Sequence, residues 1–200
     1  MSSPSHSNED RILDPAMELF IRHGFRRTTM GDIAKKADMS RPALYLVYRN
    51  KEEIFRAVVL RYSMELEQLG CRRIAAKHTL AGKLDAVMQT WVVDPYKMIS
   101  HSPEAGELHE IAFSFGADLR KEMHARFENQ LLGLMNDSPE VDPKSLKAAG
   151  TSPAAIASLI ARATPPLKRT VASLAELERH LATMKQLAHT ALTMAAAAPR

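Results

Sequence analysis

Residues 28–53 read TTMGDIAKKADMSRPALYLVYRNKEE, and three helix starts are legible in them. The Thr29 hydroxyl stands three residues before Asp32, so it can satisfy a free amide at the start of a helix of about Met30–Ala37. The positive end of that helix also favours the Asp32 charge. Asp38-Met39-Ser40 is a turn, with Asp38 suited to a left-handed backbone. Ser40 then caps a helix of about Arg41–Tyr48, and Pro42 falls in its first turn, where a missing amide costs little. Asn50-Lys51-Glu52-Glu53 opens a fourth, long helix that runs to about Ala76. Two short helices joined by a three-residue turn and resting on a longer one before them make a helix-turn-helix.

The longer helix lies upstream. Ser7, Asn8 or Asp10 can cap it, its apolar face is Ile12, Leu13, Ala16, Met17, Leu19 and Phe20, and it stops at Gly24. Pro15 leaves two starts open: a helix from about Asn8 that is kinked or loosened at Pro15, which we prefer, or one capped by Asp14 with Pro15 as its first residue. At 100° per residue, Leu44, Val47 and Tyr48 of the third helix face Ile33, Ala34, Ala37 and Phe20. Pro42, Tyr45, Leu46 and Arg49 are left outward, with Arg41 and Ala43 on the flanks. An outward Tyr and Leu among arginines suit a major groove, which admits one helix. There Arg41 can reach guanine acceptors or a phosphate, Tyr45 can donate to a phosphate, and Ala43 and Leu46 can touch thymine methyls. The charge agrees: Arg22–Arg56 holds nine basic and four acidic residues, whereas all 200 residues together carry only +4.

Apolar positions recur at three and four residues nearly everywhere, so the fold class is all-α. Residues 1–6 are polar and read as a disordered arm, residues 7–58 as the helix-turn-helix domain with the motif proper at 29–48, and residues 59–200 as a second helical domain. Breaks near Thr79, Asp94-Pro95, Ser102-Pro103, Gly116-Ala117, Asp137–Pro139, Gly150–Pro153 and Pro165-Pro166 leave five helices in the latter: Leu80–Val93, Pro103–Phe115, Asp118–Asn136, Pro153–Ala163 and Ser173–Ala197. Asp137–Gly150 reads as a flexible loop.

Several function classes find no support. Cys71 is the one cysteine and cannot form an internal bridge, the first residues lack a signal peptide's basic start and apolar run, and no apolar run approaches the ~20 residues of a membrane span. A cytoplasmic protein without a membrane partner is expected. There is no glycine-rich phosphate loop, nucleophile elbow or Cys-x-x-Cys, so no enzyme and no cofactor are expected. His101, Glu107, His109, Glu110 and His124 invite a metal reading, but no two of these histidines stand at helical ligand spacing, so no metal is expected.

Residues Arg11–Phe55, with their ELF, GF, TT and DIA stretches, the Leu44-Tyr45 pair and the Asn50-Lys51-Glu52 helix start, resemble the DNA-binding domain of TetR-family (tetracycline-repressor-like) transcriptional regulators. The resemblance covers about a quarter of the chain. It implies a dimeric repressor released from a pseudo-palindromic, double-stranded DNA operator by a small-molecule effector. It further implies that Thr28, Thr29, Tyr45 and Lys51 hold phosphates while Arg41, Ala43 and Leu46 face bases, with Pro42 and Arg49 on the same surface. Glycine is usual at the place of Asp38, a small residue or glycine at that of Pro42, and a polar residue at that of Leu46.

Two further sites follow from the resemblance. In the last helix Leu177, Leu181, Met184, Ala188 and Ala191 form a stripe that, with Leu159 and Ile160 of the helix before, is either the homodimer interface of such proteins or intramolecular core. Met88, Trp91, Phe113 and Phe127 are candidates for the effector pocket, and core packing is their alternative reading.

Overall fold

A computed structural model describes residues 9–100, 102, 104, 107 and 117–194. The regular elements among them are helices: α1 (Asp10–His23), α2 (Met30–Lys36), α3 (Arg41–Val47), α4 (Lys51–Ala75), α5 (Leu80–Met88), a π-helical segment (Gln89–Val93), α6 (Asp94–Ser100), α7 (Ala117–Asn136), α8 (Pro143–Ala148), α9 (Pro153–Thr170) and α10 (Leu174–Met194). They divide between two compact units, Met1–Ser63 with Met98–Arg120, and Met64–Lys97 with Lys121–Arg200.

In the first unit the sequence signals act as read. α1 carries Pro15 in its interior, consistent with the start near Asn8, and ends at Gly24, whose φ of 78° only glycine adopts freely. The amide of Gly24 still donates to the Phe20 carbonyl at 3.0 Å. α2 closes with a Schellman motif: the amides of Asp38 and Met39 donate to the Lys35 and Ala34 carbonyls at 3.3 and 3.0 Å. Asp38 takes the left-handed position at φ 51°, where glycine is the commoner residue. The core gathers Ile12, Ala16, Ile33, Leu44 and Ile54 around three rings. Phe20, Phe25 and Phe55 stand 5.2–5.5 Å apart by their centroids, and two of the three pairs meet edge to face.

In the second unit, two expected breaks are not breaks and one expected loop holds a helix. Asp94-Pro95 lies inside a helical run that begins at Leu80 and reaches Ser100. The π turn before it makes this possible, because the Asp94 amide reaches back five residues to the Gln89 carbonyl and the wider turn relieves the clash that a proline ring imposes on an α-helix. Pro165 and Pro166 lie within α9. The buried Ala161 carbonyl, which the missing Pro165 amide cannot serve, accepts instead from the Thr164 hydroxyl at 3.3 Å. Within Asp137–Gly150, read as a loop, Asp142 caps the short helix α8 and Leu146 is fully buried. Of the expected helix Pro103–Phe115 only Glu104 and Glu107 are described, and residues 1–6 lie outside the described residues.

Candidate nucleic-acid interface

The surface begins with two caps. The Thr29 hydroxyl accepts from the Asp32 amide at 3.2 Å, and the Asp32 carboxylate accepts from the Thr29 amide at 2.9 Å and from the Thr29 hydroxyl at 2.6 Å. These bonds, the hydroxyl's first, hold the Asp32 carboxyl below its usual range. Ser40 starts α3 by accepting from the Ala43 amide at 3.3 Å. With α2 and α3 so fixed, α3 buries Leu44 completely and presents Tyr45 and Leu46, 52% and 88% exposed, beside exposed Arg41, Pro42 and Arg49. Ala43 is half-buried on the flank. Val47 departs from the expected inward face and is exposed; it is the last residue of α3, so no further turn of the helix follows to cover it, and Tyr48 after it is extended. Tyr48 turns inward, and burial pushes its hydroxyl pKa up.

Two expected phosphate ligands sit elsewhere. Thr28 is buried, and its hydroxyl donates to the Gly24 carbonyl at 2.7 Å. It closes the end of α1 and offers nothing to a ligand. Lys51 bends back from the first turn of α4, and its ammonium donates to the carbonyls of Phe25 at 2.6 Å, Thr28 at 2.7 Å and Arg26 at 3.3 Å. It also stands 4.3 Å from the centre of the Phe25 ring. All three protons are occupied by the loop between α1 and α2, and burial holds its pKa below the ordinary lysine value.

That loop has a second set of partners, 81 residues away, which local sequence signals could not reveal. Glu107 accepts from the Arg26 amide at 2.7 Å and lies 3.8 Å from its guanidinium, Glu104 pairs with Arg27 at 3.2 Å, and the Ser102 hydroxyl donates to the Ile21 carbonyl at 2.5 Å. Side-chain atoms of both glutamates lie where a Cβ at position 24 would stand.

The other candidates belong to the second unit. Trp91 and Phe127 stack at 5.5 Å, and the indole N–H donates to Gln130 at 2.7 Å; both rings are buried, as is Met88, while Phe113 lies outside the described residues. An open cleft missed from sequence is lined by Ala81, Leu84, Asp85, Lys185, Gln186 and His189. Of the proposed dimer stripe, Leu177, Leu181, Ile160 and Ala188 are buried in the chain's own core, as the alternative reading has it. Leu159 is 69% exposed, Ala191 is exposed and Met184 half-buried. The residue missed is Leu187, 66% exposed, one position from Ala188: the core stripe and the outer apolar stripe run side by side. Among the described residues no three potential metal ligands gather, and no helix is long and apolar enough to cross a membrane.

Residues 12–58 match the family described as bacterial regulatory proteins, tetR family. The chain is 39% identical over 75 residues to the transcriptional repressor ComR of Escherichia coli, an alignment covering 38% of this chain and 32% of that one, so the chain spans about a third of that relative's length. Over nearly the whole length the fold is shared with the TetR-family repressor AlkX of a Dietzia strain, at TM-score 0.64 and 16% identity, covering 96% of this chain and 98% of that one. It is also shared with the transcriptional regulator FadR of Bacillus subtilis, solved with stearoyl-CoA, at TM-score 0.61 and 16% identity, covering 90% and 97%.

Proposed function

As a member of the TetR family of bacterial regulatory proteins through its residue 12–58 head, this chain, we propose, is a sequence-specific repressor of transcription, a homodimer in the cytoplasm that an effector releases from its DNA operator. The observation that carries the DNA-binding reading is the outer face of α3. An exposed tyrosine and a leucine left 88% in water, on a seven-residue helix whose other side is anchored by the fully buried Leu44, form a rigid ridge that a major groove fits. One such helix reads only a few base pairs, so two copies on one two-fold axis give the needed affinity, with recognition helices ~34–36 Å apart on a pseudo-palindrome. The exposed Leu159, Leu187 and Ala191 of α9 and α10 supply apolar surface for that pairing. A small-molecule effector is supported by analogy with FadR and its acyl-CoA, and its chemistry in this chain is left open.

The test is binding of the full chain to the DNA upstream of its own coding region and to an equal-length random duplex across a salt series. Salt-sensitive binding with a preference of ~10³-fold or more establishes an operator binder. No binding to either duplex at low salt refutes the reading.

A further inference from the structure

Gly31 lies in the first turn of α2, and its backbone does not need glycine: among the described residues Gly24 and Gly150 are the glycines with positive φ, and Gly31 is not among them. Glycine within a helix weakens it relative to alanine, so a structural reason for its presence must lie beside the chain. A Cβ built on Gly31 would lie 2.7 Å from Cζ and 2.8 Å from Nε of Arg41, with Nη2 closer still. The three nearest atoms thus all belong to one guanidinium, which covers the Gly31 Cα. Arg41 is the first residue of α3, so its side chain runs back from the recognition helix onto α2. The Asp32 carboxylate is next in the chain, and the Arg41 charge is among the causes that keep its pKa low. Arg41 forms no ion pair among the described residues, so its place is set by this seating and by the field of Asp32.

We propose that Gly31 is a positioning residue for Arg41: its missing side chain seats the guanidinium at the α2–α3 seam, where it serves as a backbone-phosphate contact rather than a reader of bases. This rests on the DNA-binding reading above and adds a division of labour to it. A guanidinium lying at the seam can take a phosphate bidentately. An arginine reading guanine must instead extend to the O6 and N7 edge. Sequence discrimination then falls to Leu46, the most exposed apolar residue further along α3.

The test uses the full chain and the duplex it enriches from a randomised library, with single-base-pair variants of that duplex and a scrambled duplex as controls. Gly31→Ala meets only the flexible end of Arg41, so the variant folds, and its thermal midpoint stays at or above that of the parent. Its binding weakens ~5–10-fold on every duplex alike, and the salt slope falls by ~1, the signature of one lost phosphate. Arg41→Ala does the same, and adding Gly31→Ala to it changes nothing further, a non-additivity that a purely structural glycine does not produce. Unchanged binding by Gly31→Ala, an equal further loss in the Arg41→Ala background, or a relaxation by Arg41→Ala confined to one base pair overturns the assignment while leaving DNA binding intact. If the parent chain enriches no sequence at all, the DNA-binding reading falls and this one with it.

Discussion

Replacing Lys51 by Met separates two tasks that one ammonium can perform, clamping the loop between α1 and α2 or holding an operator phosphate. Methionine keeps most of the apolar stem and removes every donor. The two short bonds go to part-buried carbonyls of Phe25 and Thr28 and the third, at 3.3 Å, to the exposed Arg26 carbonyl. A hydrogen bond from a charged donor contributes ~1.5–3 kcal/mol where water is excluded; here water reaches the acceptors once the lysine is gone, so ~1 kcal/mol for each short bond and little for the third is appropriate. The contact with the Phe25 ring adds ~0.5–1 kcal/mol. Opposing both is the desolvation of the ammonium, visible as its lowered pKa, which methionine does not suffer. The net loss is ~2 kcal/mol, which for a chain of this length lowers the unfolding midpoint by ~4–8 °C. Thermal unfolding of the full chain, followed by far-UV circular dichroism, measures it. Lys51→Arg is the companion variant: a planar fork cannot aim at three converging carbonyls, so it keeps the charge yet recovers less than half of the loss. A midpoint unmoved within ~1 °C by Lys51→Met, together with a salt slope of DNA binding reduced by ~1 and restored by Lys51→Arg, would refute the clamp and return Lys51 to a phosphate.

Three further outcomes are expected. Asp32 has a folded pKa below its ordinary 3.8, so its contribution is present above that value and lost as pH falls through the lower folded one. The parent is therefore more stable than Asp32→Ala by ~0.5–1 kcal/mol near neutral pH, and the gap narrows as pH falls below 3.8; a gap that does not narrow in acid contradicts the ionised capping box. Glu107→Gln keeps an acceptor for the Arg26 amide and removes a negative charge beside the Arg26 guanidinium, so binding at low salt tightens ~2–5-fold on operator and random duplexes alike, whereas an effect on one duplex only tells against a field origin. Leu159→Glu with Leu187→Glu yields a helical monomer in sedimentation analysis, while Leu177→Glu, which would bury an unpaired charge, unfolds the second unit; a double variant that remains dimeric places the interface elsewhere.

The helix starts were legible because caps are local chemistry. Thr29 and Ser40 each satisfy an amide three residues ahead, and no tertiary contact is needed to see it; Asp142 caps α8 in the same way, yet that segment was read as a loop. The stops at proline were misread because what keeps a helix going is not written in the proline. At Pro95 it is a change of register in the preceding turn, and at Pro165 the hydroxyl of its neighbour Thr164. The apolar stripe of α10 was found, but its direction was not: Leu187 and Ala188 lie 100° apart, and only packing tells which of them faces the core. Val47 lies at the right phase for the core but is the last residue of its helix, where no following turn covers it.

At the candidate site the residues that sequence places correctly are those whose role follows from helix geometry alone: Thr29 at a cap, and Tyr45 and Leu46 outward from Leu44. Of those it misplaces, Thr28 and Lys51 belong to or bind the loop between α1 and α2. That loop is too short to have a core of its own, and its shape is set from afar, by Lys51 from α4 and by Glu104 and Glu107 from beyond α6. An ammonium near a helix start looks the same in sequence whether it faces an operator phosphate or a carbonyl of its own chain, because both are oxygen acceptors. Geometry decides between them: three carbonyls converging within 3.3 Å satisfy the whole donor capacity of a lysine, and a phosphate would have to displace them to be bound. A basic residue next to the binding helix is therefore weak evidence of a contact until its own hydrogen bonds are counted. By that criterion Arg41, which has no ion pair among the described residues, is the better candidate to hold the operator backbone.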